Sequence, residues 1–395
     1  MDPAISYFGI TNARPPHRDF GLRQADRLQH VYVLGKTGTG KSTLLKTLFM
    51  QDVAQGRGAI LIDPHGDLAG QVASLVPDAH QARLTYMDLA GAPGRYGYNP
   101  LKNVPEHLIP LAASGLIETF HYHFGEKSWG ARMEHILRNV LYALLEKGDA
   151  TLPDVLRMLS EKEYRRQVAA RVRNPQVRYF FTEEFSKLWG RTLFDAIAPI
   201  QNKVGAFLTD PRLVAALVDF EHEVSFRRAM DQQRIVVINL ARGIMGADTS
   251  GILGSLITAT ISLAALSRQN LPLEDRIPVF LYLDEFEHLL TPGTADMLSE
   301  VRKVGIGVIL ANQYLYQLDE GTRAAVLGNV GTLIAFRVGP EDADLLHRQF
   351  GGDISPLDFE HLTNHEMYVQ MMINGAPARC FSARTTEANI KSSRT

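Results

Sequence analysis

Short apolar runs separated by polar and glycine-bearing turns dominate both ends of the chain, and a different rhythm fills its middle. HVYVLG (30–35), GAILID (58–63) and RLTYMDL (83–89) read as strands, with a helix over roughly residues 41–55 between the first two. From about 104 to 232 β-branched runs are few and the period lengthens. In MEHILRNVLYALLEKG, Met133, Ile136, Leu137, Val140, Leu141 and Leu144 fall on one helical face, and Gly148 and Pro153 punctuate the chain beyond it. Strands then resume with RIVVINLA (234–241), VFLYLDE (279–285), GIGVILAN (305–312) and TLIAFRV (332–338). EMYVQMMI (366–373) and ARCFSA (378–383) predict a closing hairpin around NGAP. Strands alternating with helices predict an α/β core with a mostly parallel sheet covered on both faces. That core is expected over 29–103 and 233–385, interrupted by an inserted all-α domain over 104–232. Residues 1–28 read as a polar, Pro- and Arg-containing arm, and 386–395 as a flexible tail. The run GILGSLITATISLAAL (251–266) is short and rich in Gly, Ser and Thr for a membrane span. It is expected as a helix buried against the sheet.

Composition narrows this little. Hydrophobic residues make up 45% and charged residues 21%, the balance of an ordinary globular protein of 395 residues. A net charge of −2 does not announce nucleic acid, although it leaves room for a local basic patch or a pore built by several subunits. A single cysteine, Cys380, excludes an intrachain disulfide framework and a cysteine-based zinc site, and it fits a reducing compartment. The N-terminus has no apolar stretch of the kind that marks a signal peptide.

The chemistry concentrates in a few segments. Gly35-Lys36-Thr37-Gly38-Thr39-Gly40-Lys41-Ser42 satisfies G-x-x-x-x-G-K-[ST]. It follows an apolar strand and opens an apolar helix, the context in which such a loop curls its backbone N–H groups around phosphate. Phosphate contacts are expected from Gly35, Thr37, Gly38, Thr39, Gly40, Lys41, Ser42 and Thr43. Lys41 is placed to reach the β- and γ-phosphates and Ser42 to hold Mg²⁺. Hydrolysis needs an acid pair at the end of another buried strand, and FLYLDE supplies Asp284 as metal ligand and Glu285 as general base. Glu287 and His288 read as surface residues at the start of the next helix. GVILANQ is an apolar strand ending in amides. Gln313 there can contact the γ-phosphate or the attacking water, or merely cap a turn.

The series GKTGTGKST, LIDPHGDL, YNPL, a helical insert, YLDEF, VRKVGIGVILANQ and FRVGPEDADLL resembles the HerA/FtsK superfamily. Within it, the pattern is most similar to the coupling ATPases of conjugation and type IV secretion. The resemblance implies a RecA-like P-loop core that binds ATP and Mg²⁺, assembles as a homo-hexamer and pumps DNA. It also implies that Gln313 senses the γ-phosphate and that Arg302, in SEVRKVG, is an arginine finger reaching a neighbouring subunit. Arg337, in FRVG, is the rival finger. Asp63, in LIDPHGDL, is implied to lie near the nucleotide or the channel. Bottom-up it is a strand-end acid, with Asp67 available to cap the next helix. Many members of the family begin with two membrane-spanning helices, and HerA-type relatives begin with a β-barrel. The residues before Gly35 show neither, so a bacterial cytoplasmic protein recruited to the inner membrane by a partner is expected.

DNA contact has a fainter signal. RRQVAARVRNPQVRY (165–179) offers Arg165, Arg166, Arg171 and Arg173 for phosphate, with acids nearby that dilute the charge. The insert can equally receive a relaxase or a secretion-channel partner. Two functional classes therefore stand. One is an ATP-hydrolysing ring that translocates DNA for conjugation or secretion. The other is an ATP-dependent assembly or switch protein that docks a partner, in a defence or DNA-processing complex, without DNA transport of its own.

Overall fold

The computed structural model describes residues 2–13, 15–125 and 129–386. The tail expected from 386 onward lies, after Thr386, outside these residues. The chain divides into two compact units, one comprising 1–86, 227–239 and 268–395 and the other 87–226 and 240–267.

The first unit is built on a sheet of 11 strands. In chain order they are β1 (Ile5–Thr11), β2 (Asp19–Arg23), β3 (Val31–Leu34), β4 (Gly58–Asp63), β5 (Leu84–Asp88), β6 (Ile235–Asn239), β7 (Val279–Leu283), β8 (Ile306–Asn312), β9 (Thr332–Ala335), β10 (Glu366–Gln370) and β11 (Phe381–Thr385). Across the sheet the order is β2-β1-β11-β10-β9-β3-β8-β7-β4-β6-β5. The pairs from β9 through β3, β8, β7 and β4 to β6 are parallel, whereas β9–β10, β10–β11, β11–β1 and β1–β2 are antiparallel. The predicted closing hairpin is present as β10 and β11, with Asn374 and Gly375 at positive φ in the turn region between them.

The central strands are apolar throughout because both their faces are buried. Alternate residues Val31 and Val33, Ala59 and Leu61, Ile235 and Val237, Phe280 and Tyr282, and Ile309 and Ala311 form one core layer. Helix α1 (Lys41–Ala54) packs on it through Leu44, Leu45, Leu48, Phe49 and Val53, and α2 (Asp67–Leu75) through Leu68, Ala69 and Val72. The intervening residues, among them Tyr32, Ile60, Val236, Leu281 and Leu310, are buried as well.

The N-terminal arm expected over 1–28 is instead part of the sheet. Within ISYFGIT and DFGLR, Phe8 and Leu22 are wholly buried, and β1 pairs with β2 and β11. Two short strands with only one deeply buried apolar side chain each leave a weak periodic signal, and the Pro- and Arg-bearing stretch between them reads as arm.

Arg27, just before β3, is also wholly buried. Its guanidinium makes two hydrogen bonds to Asp52 of α1, at 2.7 and 2.8 Å, and one at 2.7 Å to the Tyr282 hydroxyl of β7. Tyr282 donates to Asp52 at 2.5 Å, Arg57 adds a further contact to Asp52 at 2.9 Å, and the Arg27 guanidinium stacks 3.6 Å from the centre of the Phe280 ring. Burial alone pulls the guanidinium toward neutrality, but Asp52 and Tyr282 outweigh it and hold the charge on more tightly than usual.

The second unit is helical. Its long members are α3 (Ile109–Phe124), α4 (Ala131–Lys147), α5 (Gly190–Leu208) and α6 (Ala247–Leu266). The six apolar positions predicted for one face of α4 are all buried, Gly148 closes that helix in the left-handed conformation, and Pro153 opens the next. Helix α6 contains the run 251–266 and, by length and composition, is long and apolar enough to cross a membrane, but most of that stretch is buried in the protein. It packs on α3, where His123 meets Ser255 at 3.0 Å and Gly115 faces Ala259. The helical unit therefore begins at Met87 and takes in 240–267, which differs from the boundaries 104–232 expected from the change in periodicity.

Replacing Asp52 strands a buried guanidinium. Asp52→Ala is expected to cost about 3–5 kcal/mol, read as a fall in the urea midpoint of unfolding.

Candidate active site

The glycine-rich loop joins β3 to α1 and lies at the carboxyl edge of the parallel strands, where open α/β sheets form clefts. Its first residues are pinned by neighbouring strand ends. The Gly35 N–H donates to Asn312 O at 3.3 Å and the Lys36 N–H to Arg337 O at 2.9 Å. Gly38 and Gly40 take φ of +75° and +126°. A Cβ at Gly40 would stand 3.0 Å from the Phe336 ring and 3.2 Å from His365 Nδ1, so both conformation and space demand glycine.

A cleft of about 560 Å³ opens over this loop. It is lined by Thr37, Gly38, Gly40, Lys41, Ser42 and Thr43 from the loop and α1, by Asp63, His65, Asp67, Leu68 and Gln71 from the β4–α2 region, and by Asp284, Glu285, Gln313 and His365. Gly35 and Thr39, both expected as phosphate contacts, are not among the lining residues. Gly35 lies under Phe336, and the Thr39 hydroxyl is spent on Lys36 O at 2.7 Å, clasping the loop closed. The Lys41 ammonium donates to Gly35 O at 2.5 Å and Lys36 O at 3.2 Å. Burial lowers its pKa, and the carboxylates of Asp284, Glu285 and Glu287 oppose that.

Strand β7 delivers its acids to the same place. The Asp284 N–H still bonds Ile62 O at 3.2 Å, which carries the ladder one residue past the strand. Burial, reinforced by the charges of Asp63 and Glu285 and opposed by Lys41, pushes Asp284 up to about 7. Glu285 follows in the left-handed region at φ +45°, a strained conformation for a side chain of its size. One carboxylate oxygen accepts from the Gln313 amide, and the other pairs with His65 Nε2 at 2.5 Å. Gln313 in turn accepts from the Thr37 hydroxyl at 2.9 Å. A continuous line of contacts thus runs from the glycine-rich loop through Gln313 and Glu285 to His65.

Asp63 is buried at the end of β4 and organises the turn after it. One of its oxygens accepts the His65 N–H at 2.8 Å and the other the Ala69 N–H at 2.9 Å. The helix-capping expected of Asp67 is therefore performed by Asp63, because α2 already begins at Asp67. Glu287, expected at the surface, is half-buried, with Oε2 shielded from solvent and without a hydrogen-bond partner. Burial pushes its carboxyl up to about 8. It and His288 close a cluster with Glu285 whose ligand atoms lie within 4.8 Å of one another. Sequence reasoning missed His65, His365, Gln71 and Glu287. His65 stood in the recognised LIDPHGDL segment, whereas His365 sits at positive φ in a turn with no motif.

The remaining candidates lie outside the cleft. Arg302 is exposed on a helical turn. Arg337 is half-buried and donates to Leu362 O at 3.2 Å and Asn364 Oδ1 at 3.0 Å. In the helical unit Arg165 is half-buried, donates to Met158 O at 2.9 Å and lies 4.6 Å from the Phe185 ring. Arg166 pairs with Glu163 at 3.0 Å and Arg173 with Glu106 at 2.9 Å, while Arg171 borders a cleft beside Glu146, Lys147 and Asp149. Arg165, Arg166 and Arg173 are thus met by carbonyls and acids rather than gathered into one uncompensated basic face.

A parallel sheet with a glycine-rich strand-to-helix loop, an acid pair closing the next strand but one and an amide closing the strand between them defines a RecA-like P-loop fold. The family model for the type IV secretion-system coupling protein DNA-binding domain matches residues 21–353, and the chain belongs to that family. No curated protein matches it by sequence. Among solved structures it is similar to the bacterial conjugative coupling protein TrwBΔN70 in its unbound monoclinic form, at 16% identity and a TM-score of 0.68 over 93% of this chain and 87% of that one. TrwB bound to the non-hydrolysable GTP analogue GDPNP gives 16% and 0.66 over 93% and 87%. VirB4 of Thermoanaerobacter pseudethanolicus gives 16% and 0.65 over 96% of each chain.

Gly40→Ala adds a Cβ at positive φ against Phe336 and His365. It is expected to weaken binding of a fluorescent ATP analogue by about tenfold or more, with the far-UV circular dichroism unchanged.

Proposed function

We propose that the protein is an ATP-hydrolysing, ring-forming coupling ATPase that moves DNA for conjugative transfer or type IV secretion. The observation that carries this reading is the line Thr37–Gln313–Glu285, which joins the phosphate loop, a strand-end amide and a strand-end carboxylate in a chain of the coupling-protein family. Solved TrwB complexes with ADP and Mg²⁺ and with an ATP analogue support the choice of ligand.

In this reading, the glycine-loop N–H groups and the positive end of α1 receive the phosphates, and Lys41 exchanges its two carbonyl contacts for phosphate oxygens. Ser42, at the exposed head of α1, and Asp284 would hold Mg²⁺. The donors fit a hard cation, since both offer oxygen and Asp284 is a buried acid that gains from a neighbouring positive charge. When bound, the metal would supply charge that polarises the transferred phosphoryl group. Glu285 takes the proton of the attacking water, and Gln313, hydrogen-bonded to it, orients the same water and reports on the cradle through Thr37. Arg302 is the finger given to the next subunit in a homo-hexamer, because it is exposed while Arg337 is tied to its own chain. The RecA-like sheet unit is the motor and the helical unit its cargo domain. The protein acts on the cytoplasmic side of a bacterial membrane, where a relaxase, channel or anchor partner supplies recruitment.

A second reading rests on the compensated arginines of the helical unit, which suit a protein cargo or partner better than a phosphate backbone. The test is the ATPase rate at rising protein concentration, with and without single- and double-stranded DNA. A rate that climbs with both supports the translocating ring, and a slow rate indifferent to DNA selects the switch that docks a partner.

Two substitutions check the roles. Glu285→Gln is expected to keep ATP binding and lose at least about a hundredfold in kcat, as removal of a general base does. Arg302→Ala is expected to lose about a thousandfold in kcat as a homogeneous preparation. Activity should return when it is mixed with Lys41→Ala subunits that keep the finger, and no recovery at any mixing ratio would place Arg302 in its own subunit's chemistry.

A further inference from the structure

We propose that His65 is a positioning residue that restrains Glu285 and so sets the basal rate of turnover. The proposal rests on the reading of Glu285 as the general base and adds a regulator to it.

The turn that carries His65 is fixed on every side. Its N–H is held by Asp63, and Asp63 is itself buried and anchored to the first turn of α2. Gly66 comes next at φ +93°, with so little room that a Cβ there would come within 2.4 Å of Asn239 Oδ1. Strand β4 lies beside β7 in parallel register, Ile62 opposite Leu283, so the two strands release their loops side by side. From there the imidazole spans to the Glu285 carboxylate, with Nε2 and Oε2 2.5 Å apart.

The two partners of Glu285 differ in kind. Gln313 takes the other oxygen and is wired to the phosphate loop through Thr37, so it belongs with the catalytic line. His65 has no such link. Its side chain is 51% exposed against 10% for Glu285, so the ring can swing into solvent while the carboxylate stays in place. A base works through an oxygen lone pair that is open to water, and a donor held on each oxygen occupies such a lone pair and fixes the carboxylate's direction. Withdrawal of His65 frees one oxygen without disturbing the Gln313 contact. Glu285 sits in a strained left-handed conformation, and a strained conformation persists only where its surroundings hold it there. The restraint is a bond exchange, His65 for water, and involves no change of fold.

The test is steady-state ATPase with and without DNA on the full chain, comparing the parent, His65→Ala, His65→Gln, Glu285→Gln and the double variant His65→Ala/Glu285→Gln. His65→Ala is expected to raise kcat without DNA by about tenfold, to leave KM and ATP-analogue binding unchanged, and to shrink the ratio of DNA-stimulated to basal rate. His65→Gln presents an amide donor at similar reach and should stay within about twofold of the parent. Unchanged analogue binding shows that the variants are folded. A basal kcat in His65→Ala that is unchanged or lower, with Glu285→Gln inactive, overturns the restraint and leaves the base standing. Parental turnover in Glu285→Gln overturns the base assignment whatever His65 does. The double variant is expected to be as inactive as Glu285→Gln, and an active one removes the route through Glu285.

Discussion

The geometry of the cleft depends on a buried charged contact that lines no part of it. Arg27, Asp52 and Tyr282 form a wholly buried, mutually hydrogen-bonded set that bolts α1 to β7. The same helix presents Lys41 and Ser42 at its head, and the same strand ends in Asp284 and Glu285. Tyr282 faces α1, and the strand's alternation puts Asp284 on that face too, because the ladder is unbroken as far as the Asp284 N–H. Asp52 lies eleven positions along α1 from Lys41, roughly 16 Å at 1.5 Å per residue. One charged anchor thus sets both the depth of the helix and the strand it faces. A buried ion pair is a poor source of net stability, since desolvation consumes most of its attraction. Its value here is positional: alternative packings of α1 would strand the guanidinium or the carboxylate.

The cleft itself is short of positive charge. Asp63, Asp284, Glu285 and Glu287 gather near one ammonium, and burial raises Asp284 to about 7 and Glu287 to about 8. Such a set does not rest comfortably without a cation, and it leaves the carboxylates sensitive to what approaches them. The contacts of Glu285 with Gln313 and His65 spread part of that excess over neutral or protonatable partners. The acids and the phosphate loop are therefore two halves of one charge distribution, shaped for a metal-bound polyphosphate.

Most of the sheet was legible in the sequence, because its central strands are buried on both faces and so appear as unbroken apolar runs. The glycine-rich loop and the acid pair were legible for a similar reason: each comes directly after such a run. The features that escaped detection depended on partners far away in the chain. β1 and β2 carry one deeply buried apolar side chain each; β1 gains its pairing from β11, almost the whole sequence away, and β2 pairs in turn with β1. The run 251–266 read correctly as a buried helix, although apolarity alone does not name α3 among its neighbours. Glu287 read as exposed because a charged residue ordinarily is, and only the assembled acids show it half-buried. His65 was in view within a recognised segment, yet nothing along the chain links it to Glu285 until β4 and β7 lie side by side.

The division of the chain has a further consequence for how the molecule can be made and cut. The backbone passes between its two units four times, after residues 86, 226, 239 and 267. A ribosome delivers the helical unit in two instalments, with β6 emerging between them, so α3 waits for α6 while a sheet strand is still being placed. Neither unit is a contiguous stretch that can be cloned alone, and one proteolytic nick cannot release either from the other. Completing both units thus involves contacts of long sequence separation, the condition that slows folding and lengthens the exposure of apolar surface. Helix α3, made well before α6, is the segment that spends that interval without its partner.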